Sequence, residues 1–126
     1  MNLQESIART DKLKPNSFSD EEKVRWLSEL DGMVYRELVL THCHPPGEEP
    51  QPFTGYTMAD LDHELLIPFP YTNVYDYWLQ SQIDYNNGEL GKYNNSTQLY
   101  NTAYQAYSDW YTRTHMPAQR VTEFLF

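Results

Sequence analysis

Hydrophobic positions recur with helical spacing in two separated regions of the chain. In the first region, apolar residues follow one another at intervals of three or four positions, the period of one face of an α-helix. This stripe comprises Val24, Leu27, Leu30, Val34 and Leu38. Ser19 and Glu22 precede it with the S-x-x-E spacing of a capping box, in which each side chain caps the other residue's backbone N–H. We predict a helix over about 20–40, with Gly32 as a weak point inside it, and a shorter helix over about 2–12.

The second region has the clearest periodicity in the sequence. One stripe comprises Leu90, Tyr93, Thr97, Tyr100, Tyr104, Tyr107 and Tyr111, and a parallel one comprises Leu99, Ala103, Ala106 and Trp110. Together they predict a helix over 89–115 with a wide apolar face. A second apolar pattern predicts a helix over 72–87, with Thr72 as N-cap and Asn86-Asn87-Gly88 as the stop signal. Two long helices joined by so short a turn pack antiparallel.

The segment between the two regions is rich in proline. Residues 41–70 hold six of the chain's eight prolines, and proline removes a backbone donor and restricts the residue before it. We predict an irregular link here, with an exposed loop at 45–50, buried side chains at 65–67 and a small strand pair near 53–67. Pro117 ends the last helix and leaves an apolar tail at 116–126.

These elements predict an all-α fold, a small helical bundle built on a long antiparallel hairpin. We expect a single domain over 1–126. Its segments are a short N-terminal helix and turn (1–18), a helix (19–40), the Pro-rich link (41–70), the helical hairpin (71–115) and the tail (116–126).

Composition narrows the classes of function. The 126 residues include 18 acidic and 9 basic side chains, for a net charge of −9. This is the wrong sign for a protein that binds nucleic acid or anionic membranes through their phosphates. Cys43 is the single cysteine, so an internal disulfide is excluded. No apolar run approaches the roughly 20 residues of a membrane span, and the first residues lack the apolar core of a signal peptide.

Candidate chemistry is confined to one histidine-rich cluster. His42, Cys43 and His44, together with His63, offer nitrogen and sulfur ligands for zinc, but their spacing matches no known ligand pattern. We therefore expect no metal and no cofactor, and we favour histidines at a helix end, where a positive charge suits the helix dipole. No phosphate loop, nucleophile elbow or metalloprotease motif is present, which favours a protein that is not an enzyme. A zinc-dependent enzyme or a metal-stabilised domain at this cluster is the weakest of the hypotheses that we retain.

The tyrosine stripe favours protein–protein contact over base stacking. Single-strand binding needs a basic groove beside the aromatic rings, and residues 89–115 contain only Lys92 and Arg113 as basic side chains. The apolar face is wider than one small bundle needs, so we predict that a partner covers part of it. The predicted partner interface comprises Tyr100, Tyr104, Tyr107, Tyr111, Phe124, Leu125 and Phe126.

Several strings in the chain resemble small proteins encoded in the head-to-tail gene clusters of phages and prophages of low-GC Gram-positive bacteria. They are KPN (14–16), WLSELDGMVYRE (26–37), LLIPFPY (65–71), QIDYNNGE (82–89), YNN (93–95) and the AYxxYxxW pattern (103–110). The resemblance spans about 14–115. It carries no catalytic residues, and it does not include the cluster at 42–44.

The resemblance implies a non-enzymatic structural protein of the virion, a head–tail adaptor that joins the portal to the tail. Such a subunit would form a homo-oligomeric ring that contacts portal and tail proteins, in the host cytoplasm during assembly and then in the virion. An acidic ring wall would repel DNA phosphates and let DNA slide through, without sequence-specific binding and without a membrane. The alternative function is a small intracellular regulatory module whose tyrosine-rich helical groove binds a partner protein.

Overall fold

The structure, a computed structural model, describes residues 1–44, 46–47 and 50–115. Within this part of the chain lie four α-helices and no strand, which confirms the predicted all-α fold. The helices are α1 (Leu3–Leu13), α2 (Asp20–Val34), α3 (Asn73–Asn86) and α4 (Leu90–Thr114). None of these helices combines the length and the apolar character that a membrane crossing requires.

The first two helices begin at side-chain caps. Asn2 and Glu5 form a complete capping box at the start of α1. At α2, the Ser19 side chain accepts the backbone N–H of Glu22 at 3.2 Å, while the reciprocal half of the predicted box does not form among the described contacts. A π-helical turn over Tyr35–Val39 continues α2, so the helix predicted to reach residue 40 changes its winding after Val34.

Helices α3 and α4 form the predicted antiparallel hairpin and pack together more extensively than any other pair of elements. α3 ends at Asn86, and Gly88 adopts φ +74°, the left-handed conformation expected of a glycine just after a helix. Thr72 precedes α3 as predicted, but its side chain makes no capping hydrogen bond. Aromatic pairs hold the two helices together along their length, including Trp78 with Tyr100 at 5.1 Å between ring centroids.

Ion pairs fix α1 against the rest of the bundle. Lys14 contacts both carboxylate oxygens of Asp84 at 2.7 Å, and the Ser96 hydroxyl donates to the same carboxylate at 2.6 Å. Lys23, which is buried, contacts Asp11 at 2.6 Å and so ties α2 to α1. In each of these pairs one charged group is buried, Asp84 in the first and Lys23 in the second, and the pairs fix the relative positions of α1, α2 and the hairpin.

The link crosses the bundle without forming the strand pair predicted near 53–67, so that prediction is wrong. Its backbone pairs with the start of the chain: Leu65 N–H donates to Met1 at 3.0 Å and Gln4 N–H donates to Leu61 at 2.8 Å. A single isolated bridge joins Asn2 to Glu64, and a short 3₁₀ turn occupies Met58–Asp60. Leu65 and Ile67 are buried as predicted, while Leu66 is half-buried.

Candidate functional site

Three of the four tyrosines predicted to meet a partner lie in the core of this chain. Tyr107 is 2% exposed, and Tyr100 and Tyr111 are also buried. Tyr71 from the link and Trp110 from α4 pack beside Tyr107, with centroid distances of 5.7 and 6.0 Å. Burial raises the pKa of all three buried hydroxyls, because the phenolate would be desolvated.

Part of the wide face of α4 is covered within the chain, and a partner on the rest of that face stays a prediction. Helix α3 and the link cover Tyr100 and Tyr107, because the link returns across the hairpin instead of leaving the bundle. Tyr104 is half-buried, and its hydroxyl lies 3.4 Å from the Glu37 carboxylate; burial, followed by this carboxylate, raises its pKa to about 12. A partner contact at Tyr104 stays a prediction. Phe124, Leu125 and Phe126 lie outside the described residues.

The histidines at 42–44 bind backbone carbonyls at a helix end. His42 Nδ1 donates to the Leu38 carbonyl and His44 Nε2 donates to the Val39 carbonyl, each at 2.7 Å. Both carbonyls belong to the π-helical turn. Because the helix ends there, no N–H of a following turn bonds to them, and the histidines supply the donors. Cys43 between them is exposed.

His63 belongs to a different environment. Its Nδ1 donates to the Glu64 carbonyl at 2.7 Å, and its ring lies 5.5 Å from that of Tyr56. Across the described part of the chain, no group of three or more His, Cys, Asp or Glu side chains is arranged to hold a metal ion.

Sequence reasoning missed the residue that joins the histidine cluster to α4. His115 stacks on Tyr111 at 3.9 Å with nearly parallel planes, and its ring lies 5.7 Å from that of His44. The ring of His42 lies 5.1 Å from that of Tyr111, edge to face. The chain thus brings three histidines and a tyrosine to one end of the bundle. The signal in the sequence was weak, because His115 stands alone at the end of the tyrosine stripe.

A network of buried polar contacts surrounds Asp31, which sequence reasoning also missed. Asp31 is 0% exposed and lies in the last turn of α2. The Tyr75 hydroxyl donates to Oδ1 at 2.6 Å, and Oδ2 accepts both the Tyr56 hydroxyl and the Leu66 N–H, the latter at 3.1 Å. Tyr75 in turn accepts the Ile67 N–H at 2.8 Å.

Burial dominates the electrostatics of this network. Desolvation raises the pKa of Asp31, although the hydrogen bonds from Tyr56 and Tyr75 act in the opposite direction. Burial and the neighbouring Asp31 also raise the pKa of both tyrosines. Because the carboxyl is fully enclosed, no substrate reaches it. Its role is structural: its hydrogen bonds hold the link against α2 and α3. The signal was present in the sequence: Asp31 lies between Leu27 and Val34, on the buried stripe of its helix.

One further feature is a groove on the outer side of the hairpin, which we call the α3–α4 groove. Its volume is about 580 Å³, and its lining comprises Asn73, Tyr77, Asn95, Gln98, Leu99, Thr102, Ala103 and Ala106. None of these side chains is charged, although the chain carries a net charge of −9. Leu99, one of the lining residues, is 51% exposed. The groove therefore has an apolar floor and a neutral polar rim, which suits a peptide or an apolar side chain.

Comparisons of the chain with models of protein families, with curated protein sequences and with solved structures find no match.

Proposed function

We propose that the chain is a non-enzymatic structural subunit of a phage or prophage virion, a head–tail adaptor that joins the portal to the tail. The sequence resemblance over about 14–115 motivates this proposal, and the geometry of the link carries it. Phe69 is 87% exposed, the highest exposure among the large apolar side chains of the described residues. It is the feature of this surface that most resembles an anchor for another protein.

Phe69 lies at the corner of a well-supported turn. Tyr71 N–H donates to the Pro68 carbonyl at 2.8 Å, which closes the turn. The ring of Tyr71 packs on Tyr107 and Trp110, so the turn is fastened to the hairpin core. Because the turn is held in place, an aromatic side chain on it loses little further entropy on binding, and burying it is worth about 1.5–3 kcal/mol.

A ring also needs a second, different surface on each subunit, because one face of a subunit meets another face of its neighbour. Leu40 is 52% exposed beside Phe53, in a depression of about 300 Å³ between the end of α2 and the link. The acidic net charge suits a ring wall along which DNA passes without sticking. In this proposal the subunits assemble in the host cytoplasm and remain in the virion.

Association of the purified full-length chain tests the proposal. We expect ring-shaped oligomers in light scattering and electron microscopy, alone or on addition of the portal protein encoded beside the gene. Phe69→Ser should abolish them, whereas Leu13→Ser, which changes an exposed apolar side chain at the far end of α1, should not. We also expect no retardation of DNA in a gel at low salt.

The position of the gene separates the two functions considered. Flanking genes for portal, capsid and tail proteins support the adaptor. A gene outside any such cluster, together with a chain that remains monomeric with every portal tested, overturns it and favours the protein-binding regulatory module.

A further inference from the structure

The depression between the end of α2 and the link has an aromatic wall and two glycines. We call it the Phe53 depression, and its lining includes Gly32, Tyr35, Arg36, Leu40, Phe53 and Gly55. The ring of Phe53 lies 5.8 Å from that of Tyr35 and 5.1 Å from that of Tyr56. The volume of about 300 Å³ is near the lower limit for ligand sites, so the depression suits a single inserted side chain.

Gly32 leaves space in this depression that the chain itself does not need. It lies inside α2, where glycine is less favourable than alanine. A Cβ at Gly32 would lie 3.6 Å from the Phe53 ring, an ordinary van der Waals distance, so internal packing does not require a glycine here. Its φ is not positive, so the backbone does not require one either. The missing methyl group leaves room for a side chain from outside to approach the helix backbone.

The turn at Phe69 presents few polar groups that burial would leave unpaired. Pro68, Phe69 and Pro70 are all exposed and form one contiguous apolar tip. Neither proline has a backbone N–H, and the Pro68 carbonyl already accepts the Tyr71 N–H at 2.8 Å. The tip therefore loses few hydrogen bonds to water when it enters an apolar site.

The charges of the tip and of the Phe53 depression suit a contact between two copies of the chain. Copies that each carry a net charge of −9 repel each other unless their contact avoids the acidic side chains. No acidic residue lines the depression, and none occurs from Pro68 to Asn73. The depression also carries Arg36, an exposed side chain that belongs to none of the ion pairs among the described residues. A guanidinium can lie on the face of a phenyl ring.

We propose that the Phe53 depression of one subunit receives Phe69 of the neighbouring copy, with Arg36 on the face of the phenyl ring and Gly32 beneath it. This pairing rests on the proposed assembly into a ring, and it supplies the contact between two different faces that a ring requires. Phe69 is 87% exposed, so it does not occupy the depression of its own chain. The α3–α4 groove fits this tip less well, because its lining offers neither a cation nor a glycine.

Photo-cross-linking in the full chain locates the site that receives residue 69. Replacing Phe69 with p-azidophenylalanine keeps an aromatic ring at the tip, and the same replacement at Tyr85, which is exposed on α3, is the control. A mixture of unlabelled and heavy-isotope-labelled chains separates cross-links between copies from those within one copy. We expect position 69, and not position 85, to give cross-links between copies that map by mass spectrometry to residues 32–40 and 53–55, with or without the portal protein.

Gly32→Ala tests the depression without removing either aromatic side chain. The added methyl group obstructs the entering ring, so the cross-linking yield from position 69 should fall at least about fivefold. The fold itself should be as stable as the parent or more so, because alanine favours the helix and its Cβ fits. Gly91→Ala makes the same change in α4, where the space is open, and should leave the cross-linking unchanged. Melting temperatures of both variants show that the fold is retained.

The outcomes separate this pairing from the proposed function. Cross-links between copies that map elsewhere, the α3–α4 groove included, overturn the pairing, and so does a yield that Gly32→Ala does not change. Cross-links from position 69 to the portal protein alone overturn the pairing but agree with an adaptor. Copies that cross-link through the Phe53 depression, without forming rings and without responding to the portal protein, support the pairing and contradict the adaptor. A chain that stays monomeric alone and with the portal protein overturns both.

Discussion

The hydroxyl of Tyr75 lies 2.6 Å from Oδ1 of Asp31, and both residues are completely buried. They are 44 positions apart in the sequence, on α3 and α2. The contact joins two helices through a carboxyl group that has no access to solvent. A buried carboxyl without partners would be costly, so this pair and its neighbours must form together.

The pH dependence of stability should reveal the protonation of Asp31. Burial raises its pKa in the folded state above the ordinary value of 3.8, so the folded chain keeps this proton at pH values where the unfolded chain has lost it. The contribution of this group to stability is therefore greatest below that value and declines as the pH rises through the raised pKa.

Asp31→Asn provides the comparison, because the amide has no titrating proton and shifts the baseline by a pH-independent amount. We expect the unfolding free energy of the parent, relative to that of Asp31→Asn, to fall as the pH rises above about 4, the ordinary pKa of an aspartate. Urea titrations at several pH values measure it. A relative stability that rises with pH over this range contradicts the prediction.

The two tyrosines of the network should differ in their importance. Tyr75→Phe removes the hydroxyl that donates to Asp31 Oδ1 and accepts the Ile67 N–H, so both groups lose their described partner. After Tyr56→Phe, Asp31 Oδ2 still accepts a hydrogen bond from the Leu66 N–H. Each buried polar group left unpaired costs about 1–3 kcal/mol, so Tyr75→Phe should destabilise the chain more. Tyr85→Phe, at an exposed position, is the matched control. Equal losses for Tyr56→Phe and Tyr75→Phe in chemical denaturation would contradict this order.

Gly55 and Gly91 should respond to alanine in opposite directions. Gly55 has φ +106°, and a Cβ there would lie 2.8 Å from Ser28 Oγ, which accepts the Tyr56 N–H. Gly55→Ala should cost about 1–3 kcal/mol because it strains the backbone and displaces that contact. Gly91 lies in α4 with open space around it, so Gly91→Ala should stabilise the chain by roughly 0.5–1 kcal/mol. Melting temperatures measure both, and a Gly55→Ala variant as stable as the parent would refute the first.

Removing only one partner of the Lys14–Asp84 pair should destabilise the fold strongly, whereas replacing both with apolar residues should destabilise it little. Asp84 is 1% exposed, so Lys14→Met leaves a buried carboxylate with only Ser96 as partner, at a cost of about 3–5 kcal/mol. The double variant Lys14→Met with Asp84→Leu removes both charges and should recover most of that loss. Arg25→Ala breaks an exposed pair with Glu29 and should change stability by less than about 1 kcal/mol. A double variant no more stable than Lys14→Met alone would contradict the explanation.

The helices of this fold were predictable because each depends mainly on local sequence. The stripe from Val24 to Leu38 and the stop at Asn86–Gly88 follow from the helical period and from glycine's freedom at positive φ, and the structure has both. The strand pair near 53–67 was wrong because the residues of a segment do not reveal which backbone that segment pairs with. That backbone is the start of the chain, about 60 residues away.

The candidate site was less predictable, because burial is a property of the whole fold. The tyrosine stripe of α4 did not show that Tyr71 and Trp78, from other segments, pack against it. His42 and His44 suggested metal ligands. In the structure they bind backbone carbonyls at the end of the π-helical turn, a turn that the sequence did not predict. Asp31 was the one such residue with a clear signal, an acidic side chain on an apolar stripe.

The hydrogen bonds at Leu66 and Ile67 have a consequence for amide exchange with solvent. These two N–H groups lie outside the helices, yet they donate to the side chains of Asp31 and Tyr75 in the centre of the bundle. Opening either one requires the packing of α2 and α3 to separate. Their deuterium uptake should therefore be as slow as that of the core helices and should follow global unfolding, not local fluctuations. The irregular link and the two helices it crosses would then open as one cooperative unit.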